Sequence, residues 1–193
     1  MGAPRALLVA AVPRTVAQKR ALLEKPSVTM HAAMTIRPGT SDDGDAIWTI
    51  LEPIVRAGET YALPRDWSRE AVLAYWHAPG HDVFVAEDNG AVLGTYFICA
   101  NHLGGGAHVA NAGYATARSA QGKGVARAMC EHSIDYARSR GFRAMQFNFV
   151  IASNARAVAL WQGMGFAIVG TLPGAFAHPT LGYVDAFVMY RRL

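Results

Sequence analysis

The chain lacks the marks of several protein classes. Its 193 residues hold no apolar run near the roughly 20 residues that span a bilayer, so we expect no membrane segment. Two cysteines, Cys99 and Cys130, are too few for a disulfide-stapled scaffold and predict reduced thiols in a cytoplasmic protein. His81, His102 and His108 show no metal-ligand spacing, and we predict no metal.

Charged residues are also scarce, at 17% against 52% hydrophobic ones, a composition that favours a packed core over disorder. The net charge of +4 is unevenly spread. Residues 1–33 carry five basic side chains against one acidic, residues 34–110 carry 4 against 10, and residues 111–193 carry 9 against 3. A nucleic-acid binder would spread its positive charge over one folded face, so we expect no nucleic-acid partner. The basic second half is expected to bind an anion.

Residues 1–33 differ in character from the rest. Their apolar run at 6–12 is too short for the core of a secretory signal and is broken by Pro13. Two interpretations stay open: a basic, acid-poor leader that targets an organelle, and a dispensable extension ahead of a domain that begins at Met34. We therefore predict an N-terminal extension at 1–33 and one folded domain at 34–193.

Hydrophobic periodicity and turn signals after Met34 predict alternating strands and helices. Asn89-Gly90, between two apolar runs, marks a hairpin. Antiparallel strands come first and helical crossovers later, which predicts an α/β (α+β) class. The predicted strands are 35–37, 83–86, 92–100, 108–116, 144–151, 167–172 and 184–190. Four helices are predicted. The first begins after the cap residues 40–43, the second begins after Ser68, and the other two cover 124–140 and 155–164. Residues 173–185 are a predicted loop.

The most informative stretch is Gln-Gly-Lys-Gly-Val-Ala at 121–126, between a predicted strand and a predicted helix. Glycines at 122 and 124 let the backbone bend and let a ligand approach closely. The first N–H groups of the helix lack partners within it and carry partial positive charge, which favours an anion such as a pyrophosphate. The stretch is neither a Walker A loop nor the dinucleotide-binding fingerprint, because the residues that complete those motifs are missing.

A second motif begins 33 residues after Gln121, where 154–166 reads Asn-Ala-Arg-Ala-Val-Ala-Leu-Trp-Gln-Gly-Met-Gly-Phe. Ala157, Leu160, Trp161 and Met164 fall on one face of the predicted helix. The two motifs together resemble the GNAT superfamily of acyl-CoA-dependent N-acyltransferases, and the resemblance covers about residues 35–193. It implies the GNAT fold, a mixed and mostly antiparallel sheet of about seven strands flanked by helices, with acetyl-CoA as the co-substrate.

The resemblance also implies roles for residues. The 121–126 backbone would bind the CoA pyrophosphate, the strand at 114–116 would pair with the pantetheine amides, and Asn154 would bind the pantetheine arm. Trp161 stands where the family often has a tyrosine acid. Since an indole cannot donate a proton, the thiolate would leave unprotonated, take a proton from water or use another residue such as Tyr183. The strand at 108–114 lacks the carboxylate base of many relatives. The predicted cofactor-binding residues are Tyr114, Ala115, Thr116, Gln121, Gly122, Lys123, Gly124, Val125, Ala126, Asn154 and Trp161.

Two asparagines flank the expected thioester, Asn111 and Asn148, and their carboxamides could orient an amine and hold a water. A narrower resemblance, to N-acetyltransferases of proline analogues such as azetidine-2-carboxylate, rests on Gly-Glu-Thr-Tyr at 58–61, Asn-Ala-Gly at 111–113, Asn148 and the tail at 170–186. It implies that both asparagines contact an imino acid. The predicted substrate-binding residues are Glu59, Tyr61, Asn111, Asn148 and His178, and the predicted catalytic residues are Asn111, Asn148 and Tyr183.

We therefore predict transfer of the acetyl group of acetyl-CoA to the amine of a small molecule, by direct attack in a ternary complex. One alternative is another acceptor, such as a drug, a polyamine, a protein lysine or an N-terminus, and the acid-rich half favours a cationic one. Another is a non-catalytic CoA-binding module, which Trp161 and the missing strand carboxylate keep open. The oligomeric state stays open too, a homodimer included.

Overall fold

The computed structural model describes residues 34–193, so the predicted extension at 1–33 lies outside the described residues. The strands are Thr35–Pro38 (β1), Asp82–Asp88 (β2), Ala91–Ala100 (β3), Val109–Thr116 (β4), Ala144–Ile151 (β5), Ala167–His178 (β6) and Gly182–Arg192 (β7). The α-helices are Gly44–Ala57 (α1), Arg69–Trp76 (α2), Val125–Ser139 (α3) and Ala155–Gly163 (α4). The predicted helices at 124–140 and 155–164 are thus confirmed to within one residue.

The strands form one sheet in the order β1-β2-β3-β4-β5-β7-β6. Every neighbouring pair is antiparallel except β4 and β5, which α3 connects in parallel. Those two strands pair only at Val109 with Ala144 and at Ala110 with Met145, and then diverge. The predicted class and sheet are confirmed, and the divergence opens a gap in the middle of the sheet.

Local sequence signals explain where several elements begin and end. The side chain of Ser68 accepts a hydrogen bond from the Ala71 N–H and caps α2, as expected for serine at this position. Gly58 ends α1 with a φ of +65°. The β2–β3 turn has φ +49° at Asn89 and +78° at Gly90, the left-handed geometry of a two-residue hairpin turn, so that prediction is confirmed.

Two hydrophobic clusters hold the sheet between its helices. On one face α1 and α2 pack with Ile47, Leu51 and Trp76 against β2 and β3. On the other face α3 and α4 pack with Met129 and Trp161 against the middle strands. None of the helices in 34–193 is long and apolar enough to cross a membrane.

The predicted loop at 173–185 is wrong. β6 continues to His178 and β7 starts at Gly182, so the two strands form a long hairpin. Pro173 and Gly174 lie where the register between β6 and β7 shifts, and Asp185 Oδ1 accepts a hydrogen bond from the Gly174 N–H at 2.8 Å. β6 is an edge strand, and Pro173 lies in its register shift without a pairing partner on β7, so the missing N–H costs no ladder hydrogen bond.

Met145, Phe147, Phe149 and Ile151 alternate along β5 and would share one face of a regular strand, but in the structure they do not. The register of β5 against β7 shifts between Phe147 and Val150, which marks a β-bulge. Phe147 therefore packs in the same cluster as Met145 and Val150, whereas Phe149 and Ile151 pack in a separate small cluster. The bulge lies at the gap between β4 and β5.

Candidate active site

The gap between β4 and β5 leaves backbone groups of β4 unpaired with a strand. At the two ends of the β3–β4 pair, Asn101 N–H donates to Val109 C=O and Ala117 N–H donates to Leu93 C=O, each at 2.8 Å. In an antiparallel pair, every second residue hydrogen-bonds to the partner strand, so the odd-numbered residues of β4 bond to β3. The even-numbered residues between them direct their N–H and C=O groups away from β3, toward β5. A ligand that carries amides can therefore pair with β4 in the gap.

Tyr61, in the loop between α1 and α2, reaches this strand. Its hydroxyl donates a hydrogen bond to the Tyr114 backbone oxygen at 2.8 Å. The Tyr114 side chain lies on the other face, where its hydroxyl is 2.7 Å from Ser133 Oγ. Burial raises the pKa of both phenols well above the usual range, so neither is an acid or a base near neutral pH.

The glycine turn lies at the start of α3. Gly122 and Gly124 have φ values of +77° and +82°, and a Cβ built at either one would meet no atom within 4 Å. The first N–H groups of α3 face outward without partners in the helix, and no acidic residue lies in its first turn. A cavity of about 380 Å³ at this turn is also lined by Arg127 and Arg156. These features fit a pyrophosphate.

The structure brings most of the predicted cofactor-binding residues to this turn or to the gap. Gln121, Gly122, Gly124, Val125 and Ala126 line the smaller cavity. A larger cleft lies over β4 and β5. Four of the predicted residues line both cavities, namely Tyr114, Thr116, Gln121 and Trp161, and two line only the larger cleft, Ala115 and Asn154. Lys123 lines neither of the two.

Asn154 and Trp161 lie on α4, beside the gap. The Asn154 side chain accepts a hydrogen bond from the Ala157 N–H at 3.2 Å and so caps α4. The Trp161 ring is 8% exposed and packs 5.0 Å from the Tyr114 ring and 5.1 Å from the Phe147 ring, between centroids. Trp161 is thus a wall of the gap and offers no acidic proton there.

A cleft of about 910 Å³ runs from the α1–α2 loop across β4 and β5 to α4. An apolar side of α1 forms one wall, with Ile50, Pro53 and Ile54. Glu59, Tyr61, Asn111 and Asn148, four of the predicted acceptor residues, all line the same cleft. Among the described lining residues Glu59 is the only carboxylate and Arg118 the only lysine or arginine.

Asn148 belongs to a chain of three side-chain amides. Gln146 Nε2 donates to Asn148 Oδ1 at 2.8 Å, and Asn148 Nδ2 donates to Asn101 Oδ1 at 2.6 Å. Asn101 follows the end of β3, so the contact reaches across β4 to β5. Sequence reasoning missed Asn101, because no local pattern tells that two residues 47 positions apart meet.

His178 and Tyr183 lie at the tip of the β6–β7 hairpin and line neither cavity. The Tyr183 side chain is 82% exposed. His178 Nδ1 accepts hydrogen bonds from the Thr180 and Leu181 N–H groups within the tip, each at 3.3 Å. The structure therefore does not bring these two predicted site residues into the cleft, because most of the segment is strand and not loop.

The cleft as a whole can bind an anion at one end and a polar amine at the other. Its chemistry depends on amides, backbone groups and one carboxylate. Within 34–193 no group of three or more His, Cys, Asp or Glu residues is arranged to hold a metal ion.

Comparisons with known proteins agree with this geometry. The sequence model described as the acetyltransferase (GNAT) family matches residues 47–166. A GCN5-related N-acetyltransferase from Kribbella flavida is 44% identical, with 83% of this chain and 98% of that chain covered and a TM-score of 0.79. The structure of yncA from Salmonella typhimurium with its cofactor acetyl-CoA is 26% identical, with 83% and 94% covered and a TM-score of 0.73.

Among curated proteins, the N-acetyltransferase aca1 of Schizosaccharomyces pombe is 31% identical over 101 residues, which are 51% of this chain and 47% of that protein. The match spans about half the length of that relative. Fold, cleft and likenesses together define a class, the proteins with the acetyltransferase (GNAT) fold. The chain belongs to the acetyltransferase (GNAT) family. The family inferred from the motifs at 121–126 and 154–166 is thus confirmed.

Proposed function

We propose that this chain transfers the acetyl group of acetyl-CoA to the amine of a small molecule, and that the acceptor is an imino or amino acid of the proline-analogue kind. One observation carries the proposal. A single cleft is lined both by the acceptor residues Asn111 and Asn148 and by Gln121 and Asn154 on the cofactor side. An amine and a thioester bound in it would meet in the gap between β4 and β5.

Acetyl-CoA fits the two cavities in one orientation. The pyrophosphate binds at the glycine turn, where free N–H groups and the positive end of α3 meet Arg127. The pantetheine arm then follows β4, whose backbone groups in the gap pair with no strand and can hydrogen-bond its amides. Asn154 and Trp161 border the arm from α4 and leave the thioester facing the acceptor end.

In the reaction, the neutral amine nitrogen attacks the thioester carbonyl carbon and forms a tetrahedral oxyanion. Backbone N–H groups of β4 that face the gap are suited to stabilise that charge. The C–S bond then breaks and the thiolate takes a proton from water, since Trp161 cannot supply one. The proton that leaves the amine passes to a water held by the asparagines or to Glu59, the carboxylate in the cleft.

The asparagines support an amino or imino acid as the acceptor. A carboxamide donates and accepts hydrogen bonds, so the pair can bind both an acceptor's carboxylate and its amine. The resemblance of 58–61, 111–113 and 148 to the proline-analogue enzymes points the same way. Glu59 would also suit a cationic acceptor such as a polyamine. Polyamines are therefore the acceptors against which imino acids should be compared.

The test is a panel of acceptors with acetyl-CoA, followed by thiol release. We expect azetidine-2-carboxylate or another imino acid to be turned over faster than a polyamine, an aminoglycoside or a peptide with a free N-terminus. Asn111→Ala and Asn148→Ala should each raise the KM of the best acceptor and leave the KM of acetyl-CoA unchanged. Full activity of both variants would show that the acceptor binds elsewhere. Tight CoA binding without turnover of any amine would favour a non-catalytic CoA-binding module.

A further inference from the structure

Asn101 is a polar side chain with a single hydrogen-bonded partner. Its Oδ1 accepts from Asn148 Nδ2 at 2.6 Å, and its Nδ2 is buried without a partner among the described atoms. A buried, unpaired N–H costs stability, and an apolar side chain of the same shape would avoid that cost. The fold therefore does not require a polar side chain at position 101, where a leucine could pack as well. The polarity of Asn101 is used only in its hydrogen bond with Asn148.

The contact also sets which way the Asn148 carboxamide points. Asn148 lies on the exposed side of β5 at the cleft, where a free asparagine side chain would rotate among several orientations. Gln146 binds the oxygen end and Asn101 binds the nitrogen end, so both ends are fixed at once. One N–H and one lone pair of the carboxamide remain free for a ligand.

The position of the contact matters as well. Asn148 sits in the bulge where the register of β5 shifts, a place where the backbone alone does not hold the side chain to the alternation of a regular strand. Asn101 is anchored by its own backbone, whose N–H donates to Val109 C=O at 2.8 Å. A fixed residue thus holds a bulged one across β4.

We infer that Asn101 is a positioning residue, which, given the proposed function, orients the Asn148 carboxamide toward the acceptor. Asn101 does not line the cleft, so it acts through Asn148 and not by touching the substrate. Loss of the orientation lowers the fraction of Asn148 side chains that are ready to bind the acceptor.

The kinetic test compares Asn101→Leu, Asn101→Asp and the neighbouring control His102→Leu. Leucine removes the acceptor for Asn148 Nδ2, and we expect kcat/KM for the amine to fall about tenfold, which corresponds to about 1.4 kcal/mol. The KM of acetyl-CoA and the Tm should not fall. Aspartate keeps an oxygen for Asn148 and should restore kcat/KM to within about threefold of the parent, and His102→Leu should change nothing. An Asn101→Leu enzyme within twofold of the parent, or an Asn101→Asp enzyme that keeps the parent Tm and is still as impaired as Asn101→Leu, overturns the assignment.

A second readout does not depend on turnover and separates this assignment from the proposed function. The two side-chain N–H protons of Asn148, identified by their loss in Asn148→Asp, should differ widely in NMR chemical shift in the parent protein, because one of them is hydrogen-bonded. In Asn101→Leu they should move toward the values of a solvated asparagine. Unchanged shifts in Asn101→Leu overturn the positioning role, whatever amine the enzyme acetylates.

Discussion

Gly113→Ala is the change at the floor of the cleft whose effect the structure defines best. A Cβ at Gly113 would lie 2.6 Å from Phe97 Cε1 and 3.2 Å from the Tyr61 hydroxyl oxygen. The Phe97 ring cannot withdraw, since it stacks on His81 at 4.1 Å and meets the edge of Trp76 at 5.0 Å between centroids. Overpacking of this kind costs about 1–3 kcal/mol. A loss of about 2 kcal/mol would lower the Tm of a domain of this size by about 4–8 °C.

Gly105→Ala is the matched control, because its Cβ would meet no atom within 4 Å and its φ lies outside the positive range. We expect it to leave the Tm within about 2 °C of the parent. Calorimetry checks both values. Gly113→Ala should also lower kcat/KM, since the Tyr61 hydroxyl must shift by a few tenths of an ångström and its bond to β4 weakens. Pairing Gly113→Ala with Phe97→Leu should recover part of the lost stability. Equal Tm values for Gly113→Ala and Gly105→Ala would refute the packing argument.

Three further outcomes follow from other sites. Gly124→Val should weaken CoA binding about tenfold by calorimetric titration, because a branched side chain disfavours the +82° φ and intrudes on the pyrophosphate, whereas Gly90→Val, with a φ of +78° in a distant turn, should leave CoA affinity intact. Arg37 holds the pKa of the Asp43 carboxyl well below its usual range through two hydrogen bonds of 2.8 Å, so Asp43→Asn should lower the Tm at pH 7. The difference in Tm between this variant and the parent should shrink as the pH falls below about 4. Burial raises the pKa of Cys130 to about 12, so iodoacetamide at pH 8 should label it in denaturant and not in the native protein.

The sign of the Asp43 effect follows from linkage. A carboxyl with a lowered pKa in the folded state adds stability above its unfolded pKa of about 3.9, and that stability is lost as the pH falls toward the folded pKa. An amide at 43 cannot gain or lose this contribution. A difference in Tm between Asp43→Asn and the parent that grew in acid would contradict the ion pair between Asp43 and Arg37.

Much of the fold could be read from short stretches of sequence. Asn89-Gly90 encodes a left-handed turn, and the glycines at 122 and 124 do adopt the positive φ values that a tight turn before a helix requires. These features depend on neighbours in the chain. The succession of strands and helical crossovers along the chain was predicted from the same local signals.

The parts that could not be read depend on pairing between distant segments. Pro173 and Gly174 look like a break, yet pairing of Phe176 with Val184 extends both strands around them. The bulge in β5 arises from its register with β7, which no periodicity within 144–151 contains. For the same reason the contact between Asn101 and Asn148 has no local signature, because it depends on three strands lying side by side.

The most direct test of the central claim follows the acetyl group itself. The full chain is incubated with acetyl-CoA labelled in the acetyl carbons and an excess of one amine, and the amine is analysed by mass spectrometry. We predict a labelled N-acetyl product, formed in equal amount to the free thiol and dependent on the enzyme, with azetidine-2-carboxylate as the first acceptor to try. Release of the thiol with labelled acetate as the only acetyl product, and no label on any amine of the panel, would contradict the account.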